Sequence, residues 1–222
     1  MKLLKPLGTR EDGRYIPPEK ALEDLKKYKV PKDTTEGSKD ESKSIVVTPS
    51  LEQLVDFSNV KLQIGDREAI YNLYGSVGKN PEDFYNSNNE GRIRIEGNRI
   101  IYLDVSSMGL TSLPEGIGDL QALKGLYVGH NQLISLPERI GDLKALEVLY
   151  VGGNKLTSLP ERIGDLQALE ILYVSHNKLT SLPGRIGDLQ ALKELYVSDN
   201  KLNKESQSLI EEIKKKGVLV IS

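Results

Sequence analysis

The run LEVLYVGGNKLTSLPERIGDLQA at 146–168 is followed at once by LEILYVSHNKLTSLPGRIGDLQA at 169–191, identical at 19 of 23 positions. The same step of 23 residues returns a Leu-Pro pair at Leu113, Leu136, Leu159 and Leu182, and an asparagine at Asn131, Asn154, Asn177 and Asn200. A fixed period of this kind means that one supersecondary unit has been copied. Within the unit Leu126, Val128, Leu133, Leu136, Ile140, Leu143 and Leu146 are apolar at constant offsets. One unit cannot enclose that set, but stacked units turn each offset into a continuous buried column. The Leu-Tyr-Val run alternates inside, outside, inside, as a short strand does. Successive strands therefore predict a parallel sheet with ~4.8 Å between rungs. The asparagines sit where the chain turns in, where an amide can satisfy backbone groups that would otherwise be buried unpaired. Leu-Pro followed by Ile-Gly-Asp-Leu predicts an irregular or short helical outer side, because proline is tolerated there and not in a central strand.

This unit, L-x-x-L-Y-V-x-x-N-x-L-x-S-L-P-x-x-I-G-D-L-x-A, resembles the leucine-rich repeat over roughly residues 92–222. The resemblance implies an α/β solenoid. A curved parallel sheet lines its concave side, short helical or irregular segments form its convex side, and caps close both ends. About five units of the 23-residue type occupy residues 100–203. The Leu-Pro, Ile-Gly-x-Leu variety is similar to intracellular Ras-group repeat proteins and to short bacterial and archaeal ones. It implies a protein-binding scaffold without catalysis, and it suggests a small GTPase as partner. Met108 stands where the first unit would carry its asparagine, which suits a capping unit and predicts an interrupted asparagine ladder at that end.

Solenoid ends need covers. Asn203 can cap a helix from Lys204 to Lys216, with Leu209, Ile210 and Ile213 as its apolar stripe and Gly217 as its stop. Residues 204–222 then end in an edge strand over Val218–Ile221. Residues 49–99 read as the other cap. Helices are expected over Ser50–Phe57, Asp66–Gly75 and Pro81–Tyr85, and a hairpin over Arg92–Leu103 turns at Gly97 and Asn98. Residues 1–48 read as a flexible tail with a short helix over Pro17–Val30 and a linker over 31–44 that lacks any hydrophobic residue.

Composition excludes several chemistries. The chain has 222 residues, with 30 Lys+Arg against 32 Asp+Glu, a net charge of −2 and no Cys. The absence of Cys removes disulfides, thiol catalysis and thiolate metal sites, including the catalytic Cys of repeat-bearing bacterial ubiquitin ligases and the Cys-rich caps of secreted relatives. The balanced charge argues against a nucleic-acid binder. No run reaches ~18 apolar residues, so no membrane span is expected. The first residues do not form a signal peptide, which makes the cytoplasm the expected location. Gly78-Lys79-Asn80 lacks the upstream Gly and following Ser or Thr of a phosphate loop. His130 and His176 share a repeat position two rungs apart, ~9.6 Å at sheet spacing, too far to share a metal. They read as products of duplication or as contacts on an exposed edge. Neither a cofactor, a metal nor a catalytic residue is expected, and the chain is expected to be a monomer.

What rises above this background is a column. The outward strand position holds Asp104, Tyr127, Tyr150, Tyr173 and Tyr196, and the column beside it holds Tyr102, Gly125, Val148, Ile171 and Glu194. Further along each rung lie Ser106, Gly129, Gly152, Ser175 and Ser198, small residues expected to leave the rings uncovered. Stacked tyrosines stabilise a sheet by packing on one another. An exposed tyrosine stripe is also a binding surface, since Tyr offers large area at low entropic cost. Both readings hold at this stage. The candidate partner-binding residues are Tyr102, Asp104, Tyr127, His130, Val148, Tyr150, Ile171, Tyr173, His176, Glu194 and Tyr196. The alternative use of the same stripe is recognition of a glycan or other small ligand, though the groove has no enclosed pocket. Lys155, Lys178 and Lys201 line one edge, and Arg139, Arg162 and Arg185 the outer side, both read as solvated faces.

Overall fold

The computed structural model describes residues 62–75 and 92–222, all within the compact unit Val55–Ser222. The expectations for Pro17–Val30, 31–44, Ser50–Phe57 and Pro81–Tyr85, and for residues 76–80, lie outside the described residues.

Seven strands form one sheet in chain order. β1 (Ile93–Glu96) and β2 (Arg99–Asp104) make an antiparallel hairpin with Gly97 and Asn98 at the turn. β3 (Gly125–Tyr127), β4 (Val148–Tyr150), β5 (Ile171–Tyr173), β6 (Glu194–Tyr196) and β7 (Leu219–Ile221) continue it in parallel. Because the unit repeats without insertion, Leu126, Leu149, Leu172 and Leu195 fall opposite one another. All four are fully buried, and the remaining apolar columns join them in a single core.

The outer side of each rung is a 3-10 turn, at Glu115–Asp119, Glu138–Asp142, Glu161–Asp165 and Gly184–Asp188. Proline precedes every one, in the extended conformation its ring favours. The Gly within these turns is a packing requirement. A Cβ at Gly118 would lie 2.5 Å from the Arg139 carbonyl oxygen of the next rung, and Gly141 and Gly164 meet Arg162 and Arg185 in the same way. Arg139 pairs with Asp119 and Asp142, Arg162 with Asp142 and Asp165, and Arg185 with Asp165 and Asp188. Each pair is half-exposed, so it contributes little alone, but the chain of pairs ties every outer turn to the next.

The asparagines do the corresponding work inside. Asn154 Oδ1 accepts from the Leu133 amide at 3.0 Å, and its Nδ2 donates to the Val128 and Val151 carbonyls, both at 3.0 Å. One side chain thus satisfies its own rung and the rung before it. The expectation of a ladder interrupted at Met108 is corrected by this direction. Asn131 serves the Met108 and Leu110 amides and the Val105 carbonyl, so the first rung needs no asparagine of its own. Met108 instead packs on the core, and the Tyr74 hydroxyl donates to its sulfur at 4.0 Å.

Two helices flank the rungs. α1 (Ile64–Gly75) buries Ala69, Ile70, Leu73 and Tyr74. It packs on the first outer turn at Gly116, where the later rungs carry Arg139, Arg162 and Arg185. Buried Asp66 holds its start against the hairpin, accepting from Arg99 Nε at 3.1 Å and from the Ile100 amide at 2.7 Å. α2 (Lys204–Lys215) is capped by Asn203, whose side chain accepts from the Ser206 amide. It buries Ile210 and Ile213, and Ser206 Oγ accepts from the Leu182 amide at 2.8 Å.

Asn154→Ala should cost about 3 kcal/mol in urea unfolding, since it leaves a buried amide and buried carbonyls short of a partner. Asn200→Ala should cost less, because Asn200 itself is only half-buried and solvent lies nearer to the groups it serves. Equal losses at the two sites would contradict the proposed dependence on burial.

Candidate functional site on the concave face

Strand register defines two concave columns. One runs Tyr102, Gly125, Val148, Ile171, Glu194 and Leu219, and the other Asp104, Tyr127, Tyr150, Tyr173, Tyr196 and Ile221. The repeat period alone ends both columns at β6. Leu219 and Ile221 also belong to them and are exposed at 53% and 44%. The alternation of Val218 to Ile221 carried that signal. It was hidden because α2 stretches the step from Glu194 to Leu219 beyond the period of the repeat.

The rings form one aromatic row. Centroids are 6.1 Å apart from Tyr127 to Tyr150, 4.4 Å from Tyr150 to Tyr173 and 5.0 Å from Tyr173 to Tyr196, with planes within 28° of parallel. Tyr102 joins it from the neighbouring column, 5.0 Å from Tyr127. Gly125 makes this possible, because a Cβ there would lie 3.0 Å from the Tyr102 ring and 3.2 Å from the Tyr127 ring. Arg94 stands over the Tyr102 ring, 5.6 Å from its centroid.

Contrary to the expectation from their size, Gly129 and Gly152 do not leave the rings uncovered. They are the seats on which the rings lie. A Cβ at Gly152 would come within 2.5 Å of the Tyr173 ring, and one at Gly129 would collide with Tyr150. Tyr102, Tyr127 and Tyr150 are buried, while Tyr173 and Tyr196 are half-buried. Val148 and Ile171 are half-exposed beside the row.

Charge on this face is held by the rings and the backbone. Glu194 is buried, and Tyr196 donates its hydroxyl to Glu194 Oε2 at 2.8 Å. Burial first, and Glu194 second, push the Tyr196 phenol up to about 12. Burial and then Asp104 raise the Tyr102 phenol as well. Both shifts favour the neutral phenol. Asp104 accepts from the Ser106 amide at 2.8 Å, which ties it into the turn after β2.

The two histidines occupy a backbone position with a special conformation. Ser107, His130, Gly153, His176 and Asp199 all have left-handed φ, between 52° and 66°. Non-glycine residues adopt this rarely, so the rung geometry demands it. The ring of His130 lies over Gly153, whose Cβ would sit 2.8 Å from Nδ1. His176 Nδ1 is 3.0 Å from Asp199 Oδ2. The bare middle rung lets His130 lean toward His176. Burial first, and His176 second, hold the His130 pKa below its usual 6.5. Among the described residues no cluster of three or more metal-binding side chains occurs.

Lowering the His130 pKa means that the unfolded chain takes up the proton first, so the stability linked to it is present above pH 6.5 and lost as pH falls below that value. His130→Asn, which tolerates left-handed backbone, should shrink the drop in Tm between about pH 7 and about pH 5.5. An unchanged drop would contradict that assignment.

The leucine-rich-repeat family pattern matches residues 146–202. Among curated proteins no match was found. The ectodomain of the receptor kinase SOBIR1 from Arabidopsis thaliana is 26% identical with a TM-score of 0.56, covering 68% of this chain and 90% of that one. A plant ice-binding protein is 25% identical with a TM-score of 0.56, covering 64% of this chain and 50% of its own. A leucine-rich-repeat protein of Leptospira interrogans is 29% identical with a TM-score of 0.42, over 51% of this chain. The chain spans 34% of the length of the Leptospira protein. Among the described residues no helix is long and apolar enough to cross a membrane. With its leucine columns, asparagine ladder and parallel rungs, the chain is similar to leucine-rich-repeat proteins, and its repeats stack as an α/β solenoid.

Proposed function

We propose that the chain is a non-catalytic scaffold that binds a protein partner across its concave face. The observation that carries this reading is the aliphatic and aromatic band in register along the sheet. Half-exposed Val148, Ile171, Tyr173 and Tyr196 form its body, with Tyr102, Tyr127 and Tyr150 as the rigid row that supports them. His176 and Asp199 form a polar rim. An apolar centre with a polar rim, presented on rigid elements, is the usual anatomy of a protein interface. The remaining candidates take supporting roles: His130 adjoins the rim, while Asp104 and Glu194 fix local geometry. A cytoplasmic signalling role, with a small GTPase among the candidate partners, extends this reading by family resemblance.

Ring geometry supports a protein over a glycan. The tyrosines turn their faces to one another along the row. A sugar face needs an open ring face, and the row leaves mainly edges.

Val148→Lys/Ile171→Lys places charge in the band without removing a ring. In affinity capture from cell lysate, a protein retained by the wild type should be depleted at least about 10-fold on the variant. Equal capture by two equally folded baits would move the interface off the concave face.

A further inference from the structure

The two ends of the sheet are built differently. β1 carries Arg94 and Glu96 and a register shift between Arg94 and Ile95, features that blunt a sheet edge. β7 has none of these. Val218 to Ser222 contains no charge and no proline, and β7 pairs with β6 without a register shift. Leu219 and Ile221 are two of the five large hydrophobic residues exposed in the described chain.

The backbone of β7 points the same way. The Leu219 amide donates to the Lys193 carbonyl, and the Ile221 carbonyl accepts from the Val197 amide, each at 2.8 Å. Leu219 and Ile221 therefore spend their polar groups on β6. Strand alternation aims the amide and carbonyl of Val220 the other way, and among the described residues nothing pairs with them.

We propose that β7 is a self-pairing edge, through which two copies of this chain join antiparallel about a two-fold axis at Val220. Such a dimer differs from the monomer expected from sequence. Each Val220 then exchanges both hydrogen bonds with its counterpart, and Leu219 faces Ile221 of the other copy on the concave side. The edge is complementary to itself, and it carries no charge that would select a foreign strand. Flanking charges set the orientation. Lys215 and Lys216 lie just ahead of β7. The cleft by Ser222 at its far end is lined by Asp199, Glu211, Lys201 and Lys204, balanced in charge. Antiparallel copies bring each lysine pair to that balanced end, whereas parallel copies would set lysines against lysines.

Sedimentation equilibrium of the full chain over ~1 μM to ~1 mM tests this directly. The apparent mass should rise from 24.7 kDa toward twice that value. Leu219→Lys/Ile221→Lys should stay monomeric while melting like the wild type, because both side chains are exposed. The chain lacks cysteine, so Leu219→Cys protein mixed with Ile221→Cys protein reports the register. Facing residues in a non-hydrogen-bonded pair lie ~4.5 Å apart at Cα, within disulfide reach. The mixture should cross-link at least about 10-fold faster than either variant alone. A monomer at every concentration, a dimer that survives the double lysine variant, or equal cross-linking in mixed and unmixed samples would each overturn the proposal.

Discussion

Everything in this solenoid depends on one constraint. A rung buries backbone amides and carbonyls that it cannot satisfy by itself. Its short strand pairs sideways, but the turn after the strand leaves polar groups pointing into the core. The asparagine of the following rung supplies what is missing, as Asn154 does for the Leu133 amide and the Val128 carbonyl. Stability is therefore shared between neighbours, and no rung is a complete unit. The direction of the ladder also explains why the first rung can carry Met108 without harm.

The same constraint shapes both surfaces. Once the asparagines hold successive rungs at one spacing, any bulk on the outer turns collides with the next turn. Gly118, Gly141 and Gly164 meet that demand, and the Arg–Asp chain uses the same spacing to bridge turns. On the concave side the spacing suits stacked rings. The tyrosines adopt it, and Gly129 and Gly152 give them a flat seat. A row built this way is rigid before any partner arrives, which lowers the entropic cost of binding. Packing and recognition are thus two uses of one arrangement.

At the ends the constraint has to stop. α1 and the hairpin meet the first rung through Gly116, Asp66 and Arg99. α2 meets the last outer turn, where Gly187 faces Leu209 instead of another arginine carbonyl. The sheet itself continues for one more strand, β7, whose outward backbone groups pair with nothing among the described residues.

The period of the repeat determined the leucine columns, the parallel sheet and the proline-led outer turns, and the Asn203 cap and the stripe of Leu209, Ile210 and Ile213 determined the C-terminal helix, because these follow from spacing and local chemistry. The period also placed Tyr127, Tyr150, Tyr173 and Tyr196 on one line. Tertiary structure decided the rest. Alternation shows which face a tyrosine takes, but not that its ring lies across a glycine of the rung before it, nor that Tyr102 leans in from the next column over Gly125. The spacing of His130 and His176 along the sheet did not reveal that the first leans over Gly153 toward the second. Leu219 and Ile221 joined the concave face only when β7 had paired with β6. In each case the deciding contact is between residues of different rungs, and its distance is set by side-chain shape after the backbone has stacked.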